Sequence, residues 1–300
     1  MIRTLVTGFG AWGSVLAQRA RQHDDYFVCG VVDPDSAKRR IASKMGFESY
    51  ADLEVAIDQE KPELVIVATP ISEAAQASVT SSTRYAHVMV AKPGATTRAD
   101  ADRMIRVADA KDRRLILDYT LLVSPKWQIV CDSLRSLGRI EHVSAMRSTR
   151  RDRSTASVLS DLSVHDLALL VSLEPLRGWT LMRSRESLEL GWGSVELVSD
   201  ASASATLQAR RDDSMTRVLR VSCEHGSIVW NQTNDTVIVD WNEPALTEYH
   251  GPEPAIDLVS RRLDATRWWI EQGIDNRNVF RCVTGLLEDA HTKKETARAA

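Results

Sequence analysis

Two groups of side chains in this sequence have the types and the spacing that proton transfer requires. Asp161 and His165 lie four residues apart in a stretch with the pattern of a helix, so both are expected on one helix face. A carboxylate that hydrogen-bonds one imidazole nitrogen fixes the tautomer of the ring and raises the basicity of the other nitrogen. His165 could then exchange the proton of a substrate hydroxyl, whereas the adjacent Asp166 is expected to be structural.

The second group is Lys92, which follows the apolar run 87–91 and precedes Pro93. Such a run is typical of a buried parallel strand, and a cation at the carboxyl end of that strand would face a ligand crevice. There it could stabilise a developing alkoxide or relay a proton. Each group alone also has an ordinary interpretation, because acid–histidine pairs are common on helix surfaces and a lysine after a strand is mostly solvated.

The element that must position these groups lies at the start of the chain. The apolar run Ile2–Thr7 is followed by Gly8, Gly10 and Gly13, a helical stretch, and a second apolar run that ends in Asp33, 20 residues after Gly13. This is the order of a dinucleotide-binding βαβ unit. Gly8 permits a sharp turn, Gly10 lets the backbone approach a pyrophosphate, and Gly13 lets the helix lie close to the sheet. The alternative is a purely structural βαβ unit.

The acid at the end of the second strand bears on which dinucleotide is bound. Asp33 can accept hydrogen bonds from the adenosine ribose hydroxyls, and its charge repels a 2′-phosphate, so the sequence predicts NAD as cofactor. The basic run 38–40 leaves NADP possible, although this run can also be read as a solvated helix face.

The remaining pattern predicts two domains in an α/β chain. About six β/α repeats precede residue 120, and the apolar run 64–68 ends in Thr69-Pro70 at the edge where open α/β sheets bind ligands. From about residue 186 to 241 the period becomes two, in several antiparallel strands, and the last 45 or so residues are mostly helical. We therefore predict a doubly wound parallel Rossmann sheet over 1–120 and an α+β domain with a large, mostly antiparallel sheet over 121–300.

Composition sets limits on partners and location. The chain has 300 residues, 43% of them hydrophobic and 26% charged, with a net charge of −3, which gives no general field for nucleic acid or anionic membranes. No apolar run reaches the ~18–20 residues that span a bilayer. The four cysteines are scattered and form no CxxC pair. We expect a cytoplasmic protein with no metal site, no nucleic-acid partner and no membrane partner.

The chain resembles the Gfo/Idh/MocA oxidoreductases, named for glucose-fructose oxidoreductase and inositol dehydrogenase. The residues that carry the resemblance are Gly8, Phe9, Gly10, Ala11, Trp12, Gly13, Thr69, Pro70, Ala91, Lys92, Pro93, Gly138, Asp161, His165 and Gly273. The resemblance implies that Lys92, Asp161 and His165 are the catalytic residues. It also implies that the turn 8–13, Thr69, Pro70 and Lys92 contact the cofactor. An open sheet face that often packs against another subunit implies a homo-oligomer, either a dimer or a tetramer.

The departures from the family pattern concern the substrate. Ala91 replaces a common glutamate, a histidine expected within 71–79 is absent, and an arginine expected within 119–123 is missing. Arg147, Arg150, Arg151 and Arg153 precede the Asp161 helix and could recognise phosphate in a phosphorylated or nucleotide-linked sugar. A solvated or subunit-contact loop is the alternative for this segment.

These observations lead to one functional hypothesis with two rivals. The first is an NAD(P)-dependent oxidoreductase that interconverts a secondary alcohol and a ketone on a sugar, nucleotide-sugar or cyclitol, with His165 as general acid/base. An imine or non-sugar carbonyl reductase of the same fold is the second. A non-catalytic, dinucleotide-sensing regulator is the third, and the complete set of Lys92, Asp161 and His165 argues against it.

Overall fold

A computed structural model describes residues 1–150, 157–173, 178–241, 246–249, 258–272 and 275–298. Contacts between Cα atoms divide the chain into two units. The first unit comprises Met1–Thr120 and Asp257–Thr284, and the second comprises Leu121–Ile256 and Gly285–Ala300. The sequence-based division also falls at residue 120, and the contacts group Asp257–Thr284 with the first unit.

The first unit is built on a parallel sheet, as predicted. Its strands are β1 Ile2–Thr7, β2 Tyr26–Val32, β3 Ser49–Tyr50, β4 Leu64–Val67, β5 His87–Ala91 and β6 Leu115–Asp118. They alternate with α1 Ala11–Gln22, α2 Ser36–Lys44, α3 Leu53–Glu60, α4 Ile71–Thr83 and α5 Arg98–Ala110. The strand order is β3-β2-β1-β4-β5-β6, with parallel pairing throughout. This order reverses between β1 and β4, the switch point at which Rossmann folds bind dinucleotides.

Local sequence explains where these helices begin. Asp52 caps α3, because its carboxylate accepts a hydrogen bond from the N–H of Val55 at 3.0 Å. The cap of α2 is Asp35, whose carboxylate accepts from the N–H of Ala37 at 2.7 Å. Asp35 takes this role because it is the last residue with extended backbone, one position before the helix starts.

The second unit contains the mostly antiparallel sheet that the sequence predicts. In the described ranges it has eight strands in the order β14-β13-β12-β11-β7-β10-β9-β8, with parallel pairing only between β7 and β10. Their bounds are β7 Ile140–Arg150, β8 Thr180–Ser187, β9 Trp192–Val198, β10 Ser204–Asp212, β11 Arg217–Cys223, β12 Gly226–Asn231, β13 Thr236–Trp241 and β14 Leu246–Tyr249. Helices α6, Pro125–Leu134, and α7, Val164–Ser172, complete this part of the unit. The strands β8 and β14 were not anticipated.

Two further helices, α8 Leu258–Gln272 and α9 Arg277–Arg298, form the predicted helical end of the chain. The first of them packs against the parallel sheet, where the hydroxyl of Tyr26 donates to the carbonyl of Leu263 at 2.6 Å. Between the two helices, the side-chain amide of Asn276 bonds both the N–H and the carbonyl of Leu117, each at 2.8 Å. Within the described ranges no helix is long and apolar enough to cross a membrane.

Candidate functional site

The turn between β1 and α1 needs glycine at two positions, because a side chain at either would clash with neighbouring backbone atoms of the protein. Gly8 has φ +87°, and a Cβ on it would lie 2.5 Å from the carbonyl oxygen of Ala68. A Cβ on Gly13 would lie 1.8 Å from the carbonyl oxygen of Gly8. The turn therefore lies against the end of β4, and α1 lies against the turn. The positive φ of Gly8 suits the sharp turn predicted there, and at Gly13 the close contact is chiefly with the turn itself.

Gly10 differs from the other two glycines. A Cβ built on Gly10 meets no atom within 4 Å, and its φ of −78° is open to any residue. Gly10 also precedes α1, which begins without a side-chain cap. The first N–H groups of a helix attract anions, because they carry partial positive charge. No protein atom therefore fills the space beside Gly10, and its contact with a pyrophosphate stays a prediction.

Asp33 is more deeply engaged in the protein than the sequence suggested. It is buried, one carboxylate oxygen accepts from the N–H of Phe9 at 2.8 Å, and the other accepts from the N–H of Asp35 at 2.9 Å. The ammonium of Lys38 lies 3.4 Å from the first of these oxygens. Arg39 donates to the carbonyl of Asp33 at 2.8 Å, so neither basic residue is merely part of a solvated face. Asp33 therefore holds the glycine turn, and Lys38 offsets part of its charge.

The other predicted residues of the first unit lie at the same edge of the sheet. Thr69 and Pro70 follow β4, and Lys92 follows β5, the next strand across. The strands are parallel, so the residues after them share the carboxyl edge with the glycine turn. The Oγ1 atom of Thr69 is buried and has no hydrogen-bond partner among the residues that the structure describes. Thr69, Pro70, Lys92 and the glycine turn therefore lie at one edge of the sheet, and their contact with a cofactor stays a prediction.

Asp161 and His165 lie in the second unit, on either side of a change in helix type. Residues Leu159–Ser163 form a π-helical turn, and the α-helix α7 starts at Val164. The regular helix predicted around Asp161 and His165 is therefore interrupted, and a shared face for these two residues no longer follows from the helix period alone. Such π-helical turns often occur at functional sites.

The carboxylate of Asp161 is held by a residue that sequence reasoning missed. Arg211 of β10 places Nη2 3.0 Å from Oδ2 of Asp161, and its side chain is 4% exposed against 37% for Asp161. The alternation of side chains along β10 could have identified Arg211. This residue takes the same inward-facing register as Leu207 and Ala209 earlier in the strand. A charged residue at an inward position indicates a buried ion pair.

A buried ion pair between Arg147 and Asp166 corrects the interpretation of the arginines that precede the Asp161 helix. Arg147 was expected to recognise phosphate or to lie in a solvated loop, but it points inward from β7 and is 5% exposed. Its guanidinium forms two hydrogen bonds with Asp166, at 2.9 and 2.7 Å, and a third with Gln232 at 2.9 Å. Arg150 ends β7 and is exposed, and Arg151 and Arg153, like Gly273, lie outside the described residues.

Loss of Arg147 is expected to destabilise the second unit strongly. In Arg147→Gln the Asp166 carboxylate stays buried without its partner, which costs about 3–5 kcal/mol of unfolding free energy. Urea unfolding measures this cost. The double variant Arg147→Met/Asp166→Leu removes both charges and should recover most of the loss. A loss below ~1 kcal/mol in Arg147→Gln would contradict the structural role.

Comparison with known proteins agrees with this geometry. Residues 2–119 match the family model GFO_IDH_MocA, described as an oxidoreductase family with an NAD-binding Rossmann fold. The first unit is thus an NAD(P)-binding Rossmann fold of an oxidoreductase. This match agrees, over residues 2–119, with the resemblance to the Gfo/Idh/MocA oxidoreductases stated from the sequence. No curated protein matches the sequence.

Several solved structures share the fold of the whole chain at low sequence identity. One is KijD10, a 3-ketoreductase from Actinomadura kijaniata in complex with NADP and TDP-benzene, at 16% identity and a TM-score of 0.86, covering 98% of both chains. Another is the UDP-N-acetylglucosamine 3-dehydrogenase GnnA from Acidithiobacillus ferrooxidans, at 17% identity and a TM-score of 0.87, again covering 98% of both. An oxidoreductase from Agrobacterium radiobacter in complex with NAD⁺, L-tartaric acid and magnesium matches at 14% identity and a TM-score of 0.84, covering 99% of this chain and 97% of that one.

Proposed function

We propose that this protein is an NAD(P)-dependent dehydrogenase or reductase that interconverts a secondary alcohol and a ketone on a sugar. The observation that carries the proposal is the glycine turn. It leaves open space beside Gly10 at the uncapped start of α1, in a segment that matches an oxidoreductase family. An imine or non-sugar carbonyl reductase remains a second candidate, because the same fold and the same proton-transfer groups serve that reaction.

The bound dinucleotide supplies or accepts the hydride. The residues that hold it in this proposal are Gly10 and the first turn of α1 for the pyrophosphate and Asp33 for the adenosine ribose. The remaining residues of the turn 8–13, with Thr69, Pro70 and Lys92, line its path along the sheet edge. His165 moves the substrate proton, Asp161 orients the imidazole, and Lys92 stabilises the alkoxide electrostatically.

For the substrate we propose a nucleotide-linked sugar. The support comes from two proteins of the same fold. KijD10, a 3-ketoreductase, is crystallised with TDP-benzene, and GnnA is a UDP-N-acetylglucosamine 3-dehydrogenase. A diphosphate-linked substrate needs a cationic contact, and the exposed Arg150 at the end of β7 is our candidate now that Arg147 is assigned to a buried pair.

We also propose a homo-oligomer, a dimer or a tetramer, that works in the cytoplasm. The eight-stranded sheet presents polar and apolar side chains in alternation along β10, with Leu207 and Ala209 buried and Gln208 and Arg210 on the opposite face. A sheet with one uncovered face is suited to packing against a second copy. The cytoplasm supplies the nicotinamide dinucleotides that the first unit is built to hold.

The test of this function is a cofactor titration followed by a turnover assay. NADH and NADPH are titrated by fluorescence, and the enzyme is then assayed with both cofactors on a panel of nucleotide-sugars, free sugars, cyclitols and imines. Turnover on a nucleotide-sugar supports the proposal. Turnover confined to imines favours the second candidate, and tight binding with no turnover on any compound favours a dinucleotide-sensing regulator.

The charge of Asp33 is expected to set the choice between NAD and NADP. Asp33→Asn keeps an acceptor for the N–H of Phe9 but removes the charge that repels a 2′-phosphate, and Lys38 is then left without its counter-ion. The ratio of the NADPH Kd to the NADH Kd should fall ~10-fold or more, a change of about 1.4 kcal/mol. Asp35→Asn is the matched control, since Asp35 caps α2. An unchanged ratio in Asp33→Asn would refute this role.

A further inference from the structure

A buried ion pair lies against the side chain of Trp12, which follows the glycine turn, and neither member of the pair is in the predicted site. Asp118 ends β6, and Arg262 comes from α8, 144 residues later in the chain. Arg262 Nη1 lies 2.5 Å from Oδ2 of Asp118, and each residue is 3% exposed. Both belong to the first unit, so the pair is part of the fold that carries the glycine turn.

Trp12 connects this pair to the turn. It is the second residue of α1, and the guanidinium carbon of Arg262 lies 5.1 Å from the centroid of its indole ring. This distance is within the range of a cation–π interaction. Trp12 is 40% exposed, so one part of the ring rests on the buried arginine while another part remains accessible beside the phosphate-binding turn.

The charges around Asp118 indicate that the pair has an electrostatic role in addition to its packing. Burial raises the pKa of Asp118, and Arg262, the indole of Trp12 and the charge of Lys92 oppose that rise. Asp118 also lies opposite Ala91 in the sheet, next to the lysine assigned to catalysis. Arg262 therefore compensates a buried carboxylate at the end of β6, the strand beside the one that Lys92 follows.

The charge of Arg262 has two ways to affect a bound dinucleotide. It could attract phosphate directly, or it could act by holding Trp12. Direct attraction is weakened because Asp118 neutralises the guanidinium and the arginine is almost completely buried. The indole, in contrast, belongs to the first turn of α1, whose N–H groups are proposed to receive the pyrophosphate.

We propose that Arg262 and Asp118 are positioning residues for the dinucleotide. They hold the indole of Trp12 and thereby keep the start of α1 in the conformation that receives the pyrophosphate beside Gly10. This inference rests on the cofactor site of the proposed function. The new element of the inference is that cofactor affinity depends on helix α8, a segment near the end of the chain that belongs to the first unit.

A double-mutant cycle on NADH affinity tests the proposal without any substrate. The Kd for NADH is measured by fluorescence titration for Arg262→Gln, Trp12→Ala and the double variant. Each single variant should weaken binding about 5–10-fold, and the double variant should be no weaker than the worse single one, because Arg262 acts through Trp12. Arg267→Gln, on the same helix but paired with Glu271 at the surface, should bind NADH as the wild type does.

Two conservative variants add a spectroscopic readout and keep the test usable if a more disruptive variant does not fold. Arg262→Lys keeps the charge and should recover part of the affinity, and Trp12→Phe keeps a ring on the guanidinium. A fall in energy transfer from tryptophan to bound NADH in Trp12→Phe shows that the indole lies near the cofactor. Arg262→Lys, alone and combined with Trp12→Ala, replaces Arg262→Gln in the cycle if that variant does not fold. Additive losses in the cycle, or wild-type affinity in Trp12→Ala, overturn the proposal. Failure of the wild type to bind NADH or NADPH overturns the proposed function instead.

Discussion

His165→Ala and Lys92→Ala are each expected to lower kcat at least ~100-fold, the scale of a lost general acid/base or electrostatic group. The imidazole moves the substrate proton, and the ammonium stabilises negative charge on the substrate oxygen. His165 is not assigned to the cofactor, and Lys92 lies on its path but is not assigned to the pyrophosphate or the adenosine ribose, which provide most of the proposed contacts. The Kd for NADH should therefore stay within ~2-fold of the wild-type value in both variants. Steady-state kinetics on the substrate found in the panel, with NADH titration in parallel, measures both quantities.

The matched control for the histidine is His142→Ala. His142 also lies in the second unit, on β7, where it is partly exposed and hydrogen-bonded to Ser204 at 2.7 Å. This variant should keep wild-type kcat. Near-normal rates in both His165→Ala and Lys92→Ala would remove the assigned chemistry, whereas a loss in only one would reassign the role of the other.

A second large effect is expected from the contrast between Gly10 and Gly13. In Gly10→Ala the new methyl group enters open space, so the fold should lose no more than about 1 kcal/mol of unfolding free energy. The same methyl group occupies the space assigned to the pyrophosphate, and the Kd for NADH should rise ~10-fold or more, equivalent to at least about 1.4 kcal/mol. Thermal unfolding and NADH titration of one preparation separate the two effects.

Gly13→Ala is expected to lower the stability of the fold strongly, in contrast to Gly10→Ala. Its methyl group would lie 1.8 Å from the carbonyl oxygen of Gly8, so backbone must move, and stability should fall by several kcal/mol, about 2–4. If Gly10→Ala bound NADH as tightly as the wild type, the pyrophosphate would lie elsewhere and the cofactor assignment would fail.

The parts of the fold that follow a local pattern could be predicted from the sequence. The glycine spacing, Asp33 and the apolar strands of the first unit depend on neighbours within about 30 residues, and the structure places them as expected. The strand β8 was not predicted, because residues such as Arg183 and Arg185 obscure its alternation, and only Leu181 in it is fully buried.

The pairings of charged residues could not be predicted in the same way. Arg147, Arg211 and Arg262 are each buried against a specific carboxylate, and the partner lies 19, 50 or 144 residues away. Periodicity shows that an arginine faces inward, but only the tertiary fold shows which acid it meets. For the same reason the catalytic roles of Lys92, Asp161 and His165 stay predictions that the kinetic variants must test.

The hydrogen bonds from Asn276 to Leu117 have a practical consequence. The strand β6 is the last strand of its sheet, and an uncovered edge strand offers N–H and carbonyl groups to neighbouring molecules, which favours aggregation. The amide of Asn276 occupies both groups at Leu117, and Asp275 approaches the N–H of Leu115 at 3.4 Å. A Rossmann fragment cut at residue 120 would expose this edge, so it should precipitate unless the later segment is supplied with it.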